Sequence, residues 1–128
     1  MTDDLRAPGA RRLPALDITT ATGSGATVVT AAGEIDTAVS DSLRDALAAA
    51  LEARPEVLVA DLSEVPFCDS SGLSALIDIR GRAIEAGTAF RIVTRQRGLL
   101  RPISLLHLDT VLEIHPTLDS ATGTAAPS

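Results

Sequence analysis

A chain of 128 residues has room for one domain built on one hydrophobic core. Its hydrophobic fraction of 45% and charged fraction of 22% are those of an ordinary soluble globular chain. A formal charge of −6 argues against nucleic acid and anionic membrane surfaces as partners, and with aromatics at 2% there is no stacking platform for bases or sugars.

The single cysteine, Cys68, rules out an internal disulfide and a cysteine-cluster metal site. Next to the acid Asp69 it reads as a small core residue rather than a redox group. His107 and His115 are too far apart for a helix-spaced metal pair and read as surface residues, so neither metal nor cofactor is expected. No run approaches the ~20 apolar residues of a membrane span. Met1 to Leu13, with Asp3 and Asp4, lacks the hydrophobic stretch of a secretory signal. These absences together predict a cytoplasmic protein.

Residues 1–14 and 116–128 are polar and punctuated by Pro, Gly, Ser and Thr, and are expected to be flexible tails on a domain over 15–115. In chain order, Leu16 to Ile18 and Ala26 to Glu34 read as strands joined by the turn-rich Ala21 to Gly25. Val39, Leu43, Leu47 and Leu51 mark a helix starting near Thr37 and stopping before Pro55. Val57 to Ala60 fits a strand buried on both faces. A second helical stripe of Leu73, Leu76, Ile77, Ala83 and Ile84 opens near Ser70 and is closed by Gly87. Arg80 falls inside that stripe, where it must snorkel or find an acid. Ala89 to Thr94 is a strand, Leu99 to Leu108 a helix that Pro102 should kink or delay, and Val111 to Ile114 a last short strand. The pattern predicts an α/β fold: a single mixed sheet of about five strands packed by three to four helices.

Two segments carry the candidate chemistry. Asp69-Ser70-Ser71-Gly72-Leu73 follows a buried strand and opens an amphipathic helix, so its backbone N–H groups point outward with partial positive charge. A phosphoryl group on Ser70 would meet those groups, while in the simpler reading Asp69 or Ser70 is the helix cap; both can hold at once. Glu34-Ile35-Asp36-Thr37 sits at the start of the first helix, where Asp36 or Thr37 is the cap. Both helix starts fall at one edge of the sheet, where functional surfaces of α/β sheets usually form, so Asp36 and Ser70 should share a face.

Gly33-Glu34-Ile35-Asp36, joined to the run from Val57 through Asp61-Leu62-Ser63 to Asp69-Ser70-Ser71-Gly72-Leu73, resembles the STAS domain of bacterial anti-sigma factor antagonists, over roughly Leu16 to Ile114. The resemblance implies partner switching. The serine after the Asp of Asp-Ser-Ser-Gly, here Ser70, is phosphorylated by an anti-sigma factor with serine kinase activity. The unphosphorylated antagonist binds that factor and frees the sigma factor, and a PP2C-type phosphatase resets the switch. The acid matching Asp36 contacts the partner, and the candidate contact surface comprises Glu34, Asp36, Thr37, Asp69, Ser70, Ser71 and Gly72. A STAS subunit of a larger assembly, such as a stressosome or a lipid-transport complex, is the alternative. A serine hydrolase fits poorly: a nucleophile elbow needs glycine two residues before the serine, where Cys68 stands, and no histidine has a triad context.

Overall fold

The computed structural model describes residues 16–123, so the expected tail over 1–14 lies outside the described residues, as do residues 124–128. Strands β1 (Asp17–Gly23) and β2 (Ala26–Ala32) form a hairpin whose two-residue turn, Ser24 and Gly25, has positive φ at both positions (50° and 82°). Two left-handed residues are what a tight hairpin needs to match strand twist. The first strand is longer than Leu16 to Ile18. Its Thr-rich remainder lies exposed on the sheet edge, where β-branched residues favour extended backbone without any apolar alternation to betray it. Parallel strands β3 (Val57–Glu64), β4 (Ala89–Val93) and β5 (Glu113–His115) complete a five-stranded mixed sheet in sequential order, with β1 alone antiparallel to its neighbour.

Helices α1 (Thr37–Glu52) and α2 (Ser70–Ala86) pack side by side on one face. Their inward residues Leu43, Leu47, Leu76 and Ile79 meet Val29, Leu58, Ala60 and Ile92 of the sheet in the main core. Arg44 lies between Asp41 and Asp78, and Asp78 also pairs with Arg82, so the two helices are joined by an ionic chain at the surface. Gly87 ends α2 in the left-handed region at φ 74°, as expected.

The stripe assigned to α2 is rotated. Ile79 is buried, whereas Ile77 and Ile84 are exposed, so Arg80 lies beside the core rather than inside it. Apolar side chains at 73, 75, 76, 77, 79, 83 and 84 cover more than half of the helix surface, so periodicity alone does not select the inward side.

Helix α3 (Arg97–Leu105) begins earlier than expected, ahead of Leu99, and contains Pro102 without a delayed start. The amide that Pro102 lacks would have bonded Gly98, near the helix N-terminus, and the helix resumes its bonding with Leu106 N–H on Pro102 O at 3.0 Å. A 3-10 turn at Leu108–Thr110 leads into β5.

Over its described part, residues 116–123, the expected flexible tail needs correction. Helix α4 (Leu118–Gly123) crosses the other face of the sheet, where Ala121, with no exposed surface, joins Val59 and Val93 in a second small cluster. Arg91 Nη1 donates to Ala121 O at 2.9 Å. His115, expected at the surface, is largely buried and fastens the same helix: Nδ1 lies 2.6 Å from Ser120 Oγ and Nε2 lies 2.7 Å from Glu113 Oε2. A six-residue helix with one core residue has no period to detect.

Candidate functional site

The ladder between β2 and β3 continues past both strands and brings the two helix starts level. Ile35 bridges Cys68: Ile35 N–H donates to Phe67 O at 3.0 Å and Asp69 N–H to Ile35 O at 3.0 Å. Two aspartates then cap the two helices one residue beyond the bridge. Asp36 Oδ1 accepts from the amides of Ala38 (3.0 Å) and Val39 (3.3 Å), which makes Asp36, not Thr37, the cap of α1. Asp69 Oδ1 accepts from the amides of Ser71 (3.0 Å) and Gly72 (3.2 Å), so Asp69, not Ser70, caps α2. Thr37 Oγ1 reaches across to Asp69 Oδ2 at 3.4 Å and ties the caps together.

The two serines are not equivalent. Ser71 is half-buried and its hydroxyl donates to Asp69 Oδ1 at 2.6 Å. Ser70 is exposed at the first helical position, and its hydroxyl has no hydrogen-bond partner among the described residues. Glu34, Asp36 and Thr37 are also exposed, and Glu64 at the end of β3 adds a further exposed acid. Gly72, expected among the contacting residues, is instead buried. A Cβ there would collide with Cys68 Sγ and come within 2.7 Å of Ile35 Cγ2, so its lack of a side chain lets α2 sit against the bridge.

The domain so described is covered almost end to end by one sequence profile: the STAS domain matches residues 17–121. The chain belongs to the STAS family. This STAS domain is 34% identical over 109 residues to the anti-sigma-F factor antagonist RsfB of Mycobacterium tuberculosis strain H37Rv, spanning 84% of this chain and 88% of that one. A crystal structure of an anti-sigma factor antagonist from Mycobacterium paratuberculosis superposes with a TM-score of 0.79 at 34% identity, covering 86% of this chain and 93% of that one. The Bacillus antagonist SpoIIAA in its unphosphorylated form shares the fold alone, at 16% identity and a TM-score of 0.70 over 85% of this chain and 96% of that one.

In this STAS domain the Ser71 hydroxyl holds the Asp69 carboxyl below the usual carboxylate range. Burial opposes that, and the amides of Gly72 and Ser71 and the hydroxyl of Thr37 add to it. Burial, with Asp69 beside it, pushes the Cys68 thiol up to about 12, so the thiolate is absent at neutral pH and the cysteine serves as packing.

A carboxylate with a depressed pKa stabilises the fold fully above its unfolded value of about 4 and loses that contribution as pH falls through the lower folded value. Asp69→Ala is therefore expected to cost about 1–2 kcal/mol at neutral pH, through loss of the cap. Its deficit against the parent should shrink once the medium is more acid than the ordinary carboxylate range. Urea melts of both proteins at neutral and acid pH check this, and a deficit that stays constant would show that the carboxylate charge is not what matters.

Both ring nitrogens of His115 are engaged by Glu113 and Ser120, and His107 is an exposed left-handed residue beyond the end of α3.

Proposed function

We propose that this STAS protein is an anti-sigma factor antagonist that switches partners through Ser70. The observation that carries the reading is the contrast at the start of α2: an exposed, unengaged Ser70 hydroxyl next to a Ser71 hydroxyl committed to Asp69. The relatives that share a third of its sequence are named as antagonists of anti-sigma-F factors, and the antagonist role is carried over from them.

The partner is an anti-sigma factor that is itself a serine kinase, docking on Asp36 and the Ser70 surface. A PP2C-type phosphatase restores the free hydroxyl. The cycle runs in the cytoplasm, in keeping with described helices of which none is long and apolar enough to cross a membrane.

Chemistry at the site favours a switch by repulsion. A phosphate brings roughly −1.5 to −2 charges at neutral pH. Two of the helix amides that could absorb it, those of Ser71 and Gly72, already bond Asp69, which leaves the amide of Ser70 itself. The phosphate therefore stands off the surface among Asp36, Asp69 and Glu64. A partner that receives Asp36 through Arg or Lys must then accommodate a hydrated dianion. A penalty of about 3 kcal/mol lowers affinity by some hundredfold, enough to exchange partners.

Incubation with ATP and candidate anti-sigma kinases, followed by mass-spectrometric mapping, tests the assignment. Phosphate is expected on Ser70 and absent from Ser71, with Ser70→Ala unlabelled. Labelling of Ser71 at an undiminished rate in Ser70→Ala would overturn it.

A further inference from the structure

Helix α3 breaks the local rules that the other long helices obey. α1 and α2 are each capped by an aspartate, whereas Gln96 makes no capping bond at the start of α3. Arg95 and Arg97 flank that start, where the helix dipole favours acids. Pro102 interrupts its bonding. A sequence that is locally consistent elsewhere concentrates such departures where a surface has another use.

The buried side of α3 is Leu99 and Ile103. Its outward side is Arg97, Leu100, Arg101, Ser104 and Leu105, spaced as one helical stripe, and these five residues line a shallow hollow of about 420 Å³. Leu105, at 70% exposure, is the most exposed large apolar residue of those described. Neither Arg97 nor Arg101 has an ion-pair partner among the described residues. No acid occurs between Glu85 and Asp109, so a chain of net charge −6 holds here a purely basic apolar stripe.

We infer that this groove docks an acidic amphipathic helix from a partner protein, with leucine-type side chains over Leu100 and Leu105 and two carboxylates a turn apart on Arg97 and Arg101. Helix-in-groove recognition needs this combination of an apolar seam and flanking charge of one sign. The sign selects an acidic occupant and disfavours a second copy of the same basic stripe, since like charges would face each other across a two-fold axis. None of the five lining residues belongs to the Ser70 surface, and binding here does not require phosphorylation of Ser70.

The test uses the full chain and a fluorescein-labelled peptide in which leucine and glutamate alternate at helical spacing, with a lysine-for-glutamate peptide as control, read by anisotropy. The acidic peptide is expected to bind, more weakly as salt rises, and the lysine peptide not to. Arg101→Glu should lower affinity on the order of tenfold, with Arg97→Glu/Arg101→Glu lower still. Leu105→Gln should lower it at unchanged melting temperature. Ser70→Asp should leave it unchanged, which separates this groove from the partner-switching site. Equal binding of both peptides, or binding unaffected by Arg101→Glu and Leu105→Gln, would overturn the inference. So would self-association of the free chain that Leu105→Gln abolishes, which would make a second copy the occupant. Arginine-dependent binding to phosphatidylglycerol vesicles without peptide binding would overturn it in favour of a membrane.

Discussion

Ser70→Asp is expected to melt at the temperature of the parent chain while losing on the order of tenfold in affinity for its anti-sigma partner. The two quantities separate because of where the hydroxyl sits. Ser70 is not the cap of α2, so its replacement removes none of the bonds that Asp69 makes to Ser71 and Gly72. A negative charge at the first helical position is favoured by the dipole by about 0.3–1 kcal/mol, offset in part by Asp69 next to it. The binding loss should fall short of that caused by phosphate, because aspartate adds one charge rather than nearly two and is less bulky. Ser70→Ala should bind like the parent.

Asp36→Asn is the companion variant. Asparagine caps helices as well as aspartate, so the amides of Ala38 and Val39 keep their acceptor and the change isolates the charge. A loss of about 1–3 kcal/mol in binding is expected, the scale for removing a charged interface partner. Calorimetry and thermal melts on the three variants decide the matter. If Ser70→Asp loses affinity only in proportion to lost stability, the site is structural and the switch reading fails.

What the sequence makes legible follows from how local the physics is. The starts of α1 and α2 announce themselves through a short acid ahead of an apolar period, because cap chemistry needs only four consecutive residues. Which of two neighbouring candidates caps was not legible, since Asp36 and Thr37, or Asp69 and Ser70, are equally competent by type. The backbone bridge between Ile35 and Cys68 fixes the choice by setting where each helix begins. The inequality of Ser70 and Ser71 was expected from register alone, but its cause is a side-chain bond from Ser71 to Asp69 that no spacing encodes. Gly72 looked like part of the binding surface because it stands in the motif, yet it acts from behind, by leaving room for Ile35 and Cys68. Helix α4 is not legible in the sequence because Ala121 is its one core residue, and the bonds that hold it come from side chains outside it, Arg91 thirty residues back and His115 in β5.

Gly98→Ala and Gly81→Ala are expected to move stability in opposite directions, although both replace a helical glycine of ordinary backbone conformation. In an open helix position the exchange stabilises by up to about 1 kcal/mol, because alanine loses less backbone entropy. Gly81, exposed in the middle of α2, is such a position: nothing lies within 4 Å of where its Cβ would be. Gly98 is different. A Cβ there would fall onto the carbonyl oxygen of Pro66 and lie 3.3 Å from Phe67 Cα, and both obstacles are backbone that no rotamer change can clear. The start of α3 is also tied to the end of β3, just ahead of that loop, by Gln96 Nε2, which donates to Ser63 O at 2.9 Å. Relief therefore requires moving either α3 off its Leu99 and Ile103 seat or the loop that leads through Cys68 to Asp69 and Ser70. Overpacking of this kind costs about 1–3 kcal/mol after the propensity gain is counted. Because the displaced loop carries the switch serine, Gly98→Ala should also weaken anti-sigma binding, whereas Gly81→Ala should leave it untouched. Urea denaturation of the two variants beside the parent checks the signs. A Gly98→Ala protein as stable as the parent would mean that the loop yields freely, and the coupling between α3 and the Ser70 segment would have to be abandoned.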